Sequence, residues 1–197
     1  MTSRIKASDA SQWSTATGEI LGQATPASES ADGTGPPNIL YTIGHHPTLL
    51  PAFLGFTAAL ALEGVLARPD AELLALRAAW NCRSAFEWAH HVEYGLASGL
   101  STEEILAIPD GPDHRIWSEH QSLLLQTADE LHATRGLADG HFASLRERWS
   151  EAEIVEIVFV VGNYTMLSMV ANATGVPVEQ RLDAPPYRMP SAATTIR

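Results

Sequence analysis

Residues 81–91, NCRSAFEWAHH, gather a cysteine, a serine, a glutamate and two adjacent histidines in a chain otherwise rich in Ala, Leu and Val. Offsets of three and seven residues return to nearly the same face of an α-helix, so Ser84, Glu87 and His91 project as one stripe. A carboxylate beside an imidazole orients the ring and holds one tautomer. The apolar neighbours Trp80, Phe86 and Trp88 supply a low-polarity surround that moves both ionisations toward working pH. The chemistry of such a stripe is general acid/base catalysis. His90 lies about 100° around the helix from His91, so the two histidines are not expected to serve one site.

The same spacing has structural meanings. Ser84-x-x-Glu87 is a capping box, and the pattern recurs at Ser101/Glu104 and Ser150/Glu153, where starting a helix is its evident role. Glu87-x-x-His90 is the i, i+3 pair that supplies ligands to di-iron bundles, but its best partner, Asp129-x-x-His132, is an imperfect one, and neither a metal nor another cofactor is expected. Cys82 is a nucleophile only if its thiol pKa is lowered; a single thiol just before a cap more commonly fills space as a small apolar group. Arg77 is a candidate for binding a substrate carboxylate, although an interhelix salt bridge is the preferred reading. Tyr164 and Asn163 fall in an apolar helix, where buried polar groups need partners, which makes them candidate pocket residues. His45 and His46, beside Pro47, line a pocket or simply end a helix.

The elements that position these residues read as helices throughout. Residues 1–37, rich in Ser, Thr, Gly and Pro, are expected to form an extended arm. Asn38 is placed to cap a short helix through ILYTIG, and a strongly apolar helix follows from about Pro47 to Leu66. Pro69 opens the next, with Leu73, Leu76 and Trp80 on its apolar face. A helix from about Ser84 to Ser98 stops at Gly99, and Ser101 with Glu104 starts a short one. Pro109, Gly111 and Pro112 make the main internal loop, followed by a long helix from about Ser118 to Thr134 and a shorter one in DGHFASLRERW. Ser150 with Glu153 begins the last, which is apolar almost all round, is expected at the centre of the core and is closed by Gly175. The expectation is an all-α bundle of about seven helices over residues 38–178, with an irregular tail over 179–197.

Bulk properties narrow the class. A chain of 197 residues suits one domain with a proper core. Twelve basic against 23 acidic residues, a net charge of -11, provide no footprint for a phosphate backbone, so nucleic acid is not an expected partner. One cysteine excludes an internal disulfide and an all-cysteine metal site. The polar start MTSRIKASDASQWSTATG lacks the features of a secretory leader, which leads us to expect a cytoplasmic protein. The apolar run Thr48–Leu62 is short for a bilayer, and no membrane association is expected.

The stretch ELLALRAAWNCRSAFEWAHHVEYGLASGLSTEEILAI, with the flanks NILYTIGHHPTLLPAF and VVGNYTMLSMVANATGV, resembles the carboxymuconolactone decarboxylase and AhpD-like alkylhydroperoxidase superfamily. Its core motif has a glutamate on one helix, a turn, and a helix carrying E-W-x-x-H or C-x-x-C-x-x-x-H. Laid on the peroxidase form with His91 as the histidine, the pattern puts Ser84 and Glu87 at the two thiol positions and Glu72 at the relay glutamate. Neither thiol position holds a thiol, and Cys82 has no resolving partner, so a dithiol cycle is disfavoured and the decarboxylase branch is closer.

The resemblance implies a homo-oligomer, of trimers or hexamers, with sites near subunit contacts. It also implies a cofactor-free lyase or isomerase acting on a small oxygenated carboxylate or lactone. His91 would be the acid/base, Glu87 and Glu72 would orient it or relay protons, Ser84 would hydrogen-bond the substrate, and Trp88 and Tyr164 would complete the pocket. A peroxidase-like reductase using Cys82 with an external thiol, and a non-catalytic helical oligomer that binds a small hydrophobic ligand, are the competing classes.

Overall fold

In the computed structural model, residues 3–6, 15, 36–182 and 184–190 are described. Most of the arm expected over 1–37 and the end of the tail, 191–197, lie outside the described residues. Among the described residues there are eight helices of at least one full α-turn and no strand. They are α1 (Asn38–Ile43), α2 (Leu49–Leu62), α3 (Arg68–Asn81), α4 (Ala85–Ser98), α5 (Thr102–Ala107), α6 (Glu119–Thr134), α7 (Asp139–Arg146) and α8 (Glu151–Thr174). Single 3-10 turns lie at Ile108–Asp110 and Gln180–Leu182. The all-α expectation therefore holds.

The chain divides into two compact units, Met1–Gly64 with Val170–Arg181, and Val65–Met169 with Leu182–Arg197. In the first unit, α1 packs on α2, and the chain start is tied down where Arg4 donates its backbone N–H to Thr174 O. Asn38 does not cap α1 as expected. It is the first helical residue, behind Pro37; its backbone N–H donates to the Glu179 carboxylate and its amide to Pro177 O. A side-chain partner distant in sequence has taken over the work of a local cap. His45 Nε2 lies 2.7 Å from Lys6 O in the same unit, which accounts for one of the paired histidines as a tether.

The second unit holds the core. α3 packs along both α4 and α6, with Leu73, Leu74 and Leu76 fully buried. Each such side chain contributes about 1.5–3 kcal/mol. α3 begins with Pro in its first turn, as the sequence requires. The stretch Glu63–Ala67 before it is not helical, although the apolar pattern runs on to Leu66, because the backbone N–H groups of Val65 and Leu66 donate to the buried Glu156 carboxylate instead. Hydroxyl caps start four of the other helices: Ser84 for α4, Ser101 with Glu104 for α5, Ser118 with Gln121 for α6, and Ser150 with Glu153 for α8.

The long helix α8 departs from expectation in one respect. Ile154, Ile157, Val160, Val161 and Leu167 are buried, but Val155, Val158, Phe159, Met166 and Met169 on the opposite face are exposed. It is long and apolar enough to cross a membrane by length and composition, yet only half of it is buried. Apolar character all round therefore marks two separate faces, one of which is the core of this unit.

Gly99 ends α4 at φ 107°, a conformation side chains rarely adopt, and a Cβ there would meet no atom within 4 Å. Strain without a clash is thus the only cost of adding a methyl. Gly99→Ala is expected to lower the unfolding free energy by about 1–2 kcal/mol with an unchanged far-UV spectrum, read by urea denaturation; an unaltered midpoint would refute the assignment of Gly99 as an obligatory C-cap.

Candidate active site

The site begins with the turn between α3 and α4. Arg83 sits in the left-handed region at φ 54°, Cys82 N–H donates to Ala78 O, and Ser84 N–H reaches back to Ala79 O. This is the hydrogen-bond pattern of a Schellman ending, tightened so that the next helix starts at once. It returns α4 along α3 and faces Glu72 with His91. The Ser84 hydroxyl accepts from Glu87 N–H at 3.3 Å, so the serine is a cap. The reciprocal half of a capping box would need the Ser84 N–H, which is already given to Ala79, and the Glu87 carboxylate instead lies 3.7 Å from His91 Nε2.

His91 Nδ1 lies 2.6 Å from Glu72 Oε2, and the other oxygen of Glu72 is 2.6 Å from Arg68 Nη2. Glu72, Glu87 and His91 are all nearly inaccessible, at 1%, 3% and 3% exposure, whereas the Arg68 side chain is 44% exposed. A hydrogen bond to an ionised Glu72 places a proton on Nδ1 and turns Nε2 toward Glu87. At 3.7 Å, the Nε2 contact is an ion-pair approach and not a hydrogen bond, so that nitrogen is not committed to Glu87. The ring is held and its second nitrogen is poised. α8 brings Tyr164 edge-on to the imidazole, with ring centroids 4.1 Å apart, and Tyr94 of α4 stands at 5.5 Å. Burial, reinforced by the negative charges of Glu72 and Glu87, pushes the Tyr164 phenol far above its ordinary value, so it remains a hydroxyl donor at working pH.

Of the residues singled out in the sequence, the structure brings Glu72, Glu87, His91 and Tyr164 together. Ser84 is buried at the helix cap. Trp88 is fully buried against Trp80, with centroids 5.9 Å apart, and its indole N–H meets no acceptor among the described residues. His90 packs on Phe86 at 4.6 Å, apart from the stripe. Arg77 makes two bonds to Asp129, of 2.6 and 2.7 Å, and a third to Ile108 O, which is the interhelix salt bridge preferred above. Asp129 also accepts from Asn81, and His132 lies 3.9 Å from the Cys82 sulfur, so the Asp129/His132 pair is occupied away from Glu87. Burial pushes the Cys82 thiol up, against smaller lowering effects of Thr165, Ser168 and Arg135. Among the described residues no three His, Cys, Asp or Glu side chains form a metal-holding group. Arg68 was missed in the sequence, although its i, i+4 spacing to Glu72 is a legible signal. Asn163 is buried, and neither amide atom has a partner among the described residues.

Comparison with known proteins gives the fold and a family match over one part of the chain. Residues 47–111, which include Glu72, Glu87 and His91, match the carboxymuconolactone decarboxylase family. No curated protein sequence matches the chain. Among solved structures, an uncharacterised peroxidase-related protein with an alkylhydroperoxidase AhpD core, from Ralstonia eutropha JMP134, is similar at TM-score 0.80 and 16% identity, covering 96% of this chain and 98% of that one. A protein of unknown function from Agrobacterium tumefaciens, related to AhpD, is similar at TM-score 0.63 and 24% identity, over 68% and 92% of the two chains. The debrominase Bmp8, in complex with 2,3,4-tribromopyrrole, is similar at TM-score 0.74 and 16% identity, over 92% and 95%. At these identities the likeness carries the fold and not the reaction.

Two outcomes test the site as a physical object. Glu72→Ala strands a buried imidazole and is expected to cost about 3–5 kcal/mol in unfolding free energy, whereas Arg68→Ala, at an exposed position, costs at most about 1 kcal/mol; equal losses in urea denaturation would contradict the burial pattern. Because its thiol is held protonated, Cys82 is expected to react with iodoacetamide at pH 7 more slowly than a free cysteine peptide, and faster as pH rises toward the raised pKa. Alkylation at the peptide rate would show the thiol to be activated.

Proposed function

We propose that this chain, whose residues 47–111 match the carboxymuconolactone decarboxylase family, is a cofactor-free lyase or isomerase that performs acid/base chemistry on a small oxygenated carboxylate or lactone. The observation that carries the reading is the Arg68–Glu72–His91 chain, exposed at Arg68 and buried at Glu72 and His91, with Glu87 facing the second nitrogen of the ring. Glu72 positions the imidazole and holds the proton on Nδ1, leaving Nε2 to exchange protons with a substrate. In a decarboxylation, the bond to the carboxylate carbon breaks, carbon dioxide leaves, and the electron pair enters the substrate's own conjugated carbonyl. For this step His91 enters as the imidazolium, Nε2 having taken up a proton from solvent; the enolate carbon takes that proton and the ring returns to the neutral form protonated at Nδ1. An isomerisation uses the same nitrogen first as base and then as acid. Tyr164, kept as a hydroxyl beside the ring, is suited to donate a hydrogen bond to the enolate oxygen as charge develops.

Two buried groups support a ligand with oxygen atoms. The Trp88 N–H and the Asn163 amide have no partner among the described residues, and such groups cost about 1–3 kcal/mol each when left unmet. A carboxylate or lactone oxygen would offset that cost. The debrominase complex with a tribromopyrrole is a precedent for this fold acting on a small ring compound. Cys82 is not part of the reaction in this reading: its thiol is held protonated, and its sulfur stands beside His132.

On a panel of unsaturated lactone carboxylates, His91→Ala is expected to lower kcat by about 10²–10⁴-fold. Glu72→Gln should lower kcat with little change in KM, and Cys82→Ser should leave both unchanged. Turnover indifferent to His91→Ala overturns the acid/base assignment. Peroxide consumption lost in Cys82→Ser would instead support a thiol reductase.

A further inference from the structure

We propose that a ligand reaches His91 between Arg68 and Tyr94, that Arg68 holds the carboxylate of a small anionic ligand at this entrance, and that the Tyr94 ring is its gate. The proposal rests on the acid/base reading for its choice of ligand. His91 is almost inaccessible, so a ligand that meets its Nε2 must pass a side chain that touches the centre and is able to move. Toward the turn the centre is shut, because Ser84, Phe86 and Trp88 are all buried. Of the described side chains that bond to Glu72 or stack on His91, Tyr164 is half-buried, whereas the Arg68 side chain is 44% exposed and Tyr94 is 37% exposed. All of these positions lie within one unit, Val65–Met169.

The helix pair puts both exposed residues at one end. α3 and α4 return along each other from the turn at Arg83, so stepping back from Glu72 to Arg68 and forward from His91 to Tyr94 leads in the same direction, away from the turn. Tyr164 reports on the same convergence: burial and the charges of Glu72 and Glu87 raise its phenol, Arg68 pulls it down, and Tyr94 raises it. Aromatic side chains on a helix lean back over the residues three and four positions earlier, which for Tyr94 are His91 and His90. The Tyr94 ring stands edge-on to His91 at 5.5 Å and tilted to His90 at 6.4 Å, and His90 is braced by Phe86. A swing from the first histidine toward the second uncovers His91 without moving the helix. Exposed side chains change rotamer within picoseconds to nanoseconds, so such a gate selects by size without limiting the rate.

Charge decides what Arg68 is for beyond steadying Glu72. An anion nearing His91 meets two buried carboxylates on a chain of net charge -11, and it needs a cation beside it. Arg77 is committed to Asp129, and Arg83 lies over Trp80 at the turn, 4.9 Å from its ring. Arg68 is the cation at the entrance. A guanidinium carries five N–H donors in a planar fork, so one edge serves Glu72 while another takes a second carboxylate side-on. Because Glu72 joins Arg68 directly to His91, a carboxylate held there stands within one side chain of the imidazole. A small ring bearing that carboxylate then spans the distance, and a neutral ring of the same shape lacks the anchor.

Carbethoxylation of His91 by diethylpyrocarbonate, read by mass spectrometry of the full chain, tests both parts without turnover. Tyr94→Ala should raise the rate at His91 by about tenfold or more, and Tyr94→Phe should leave it unchanged, since the ring and not the hydroxyl is the gate. The exposed His120 should react alike in every variant, which reports an intact fold. In the wild type, 2-furoate should protect His91 at lower concentration than its neutral counterpart 2-furamide. Arg68→Gln should raise the furoate concentration needed by about tenfold, leave that of furamide unchanged, and be partly repaired by Arg68→Lys. A rate at His91 unmoved by Tyr94→Ala, equal protection by the two furans, or furoate protection that survives Arg68→Gln would each overturn the proposal. Lactone turnover indifferent to His91→Ala would sink the acid/base reading alone and leave these protections as they are.

Discussion

Two carboxylates and an imidazole share a nearly dry space between α3, α4 and α8, and most features of this unit answer to that constraint. An isolated buried ion carries an effective penalty of several kcal/mol, so Glu72 and Glu87 are tolerable only with partners. Glu72 has two, His91 on the inside and Arg68 on the outside. Arg68 spans the boundary: its stem starts at the first residue of α3 and its exposed head meets a carboxylate that solvent does not reach. Without a cation entering from the surface, the centre would hold two negative charges against at most one positive.

The turn at Arg83 makes that convergence possible. Because the end of α3 and the cap of α4 overlap, the helices return alongside each other with little slack, and the separation of Glu72 from His91 in sequence becomes a contact. The same economy resolves the double meaning of Ser84-x-x-Glu87. The serine hydroxyl caps the helix, while the glutamate is released from the reciprocal bond because the Ser84 N–H already serves the turn. Capping and chemistry are therefore divided between the two residues of one motif.

What the sequence disclosed follows from the range of the interactions. Caps, breakers and periodicity are local, so α3 to α8 begin and end close to where Pro69, Ser84, Gly99, Ser101, Ser118 and Ser150 place them. The helical stripe of Glu87 and His91 was local too. Asn38 and the end of α2 went otherwise because Glu179 and Glu156, distant in sequence, supply acceptors that no local pattern announces. Glu72 reached the site through family likeness alone, since nothing in spacing says which residue of α3 faces α4. Arg68 was legible as an i, i+4 partner only once Glu72 had a role.

The helix α8 joins these themes. Its inner face delivers Tyr164 to the imidazole, and its outer face repeats the same apolar chemistry at exposed positions. Composition alone reads both faces as core. Hydrophobicity reports that a residue suits burial and not whether the fold buries it, and only the exposures along α8 separate its two faces.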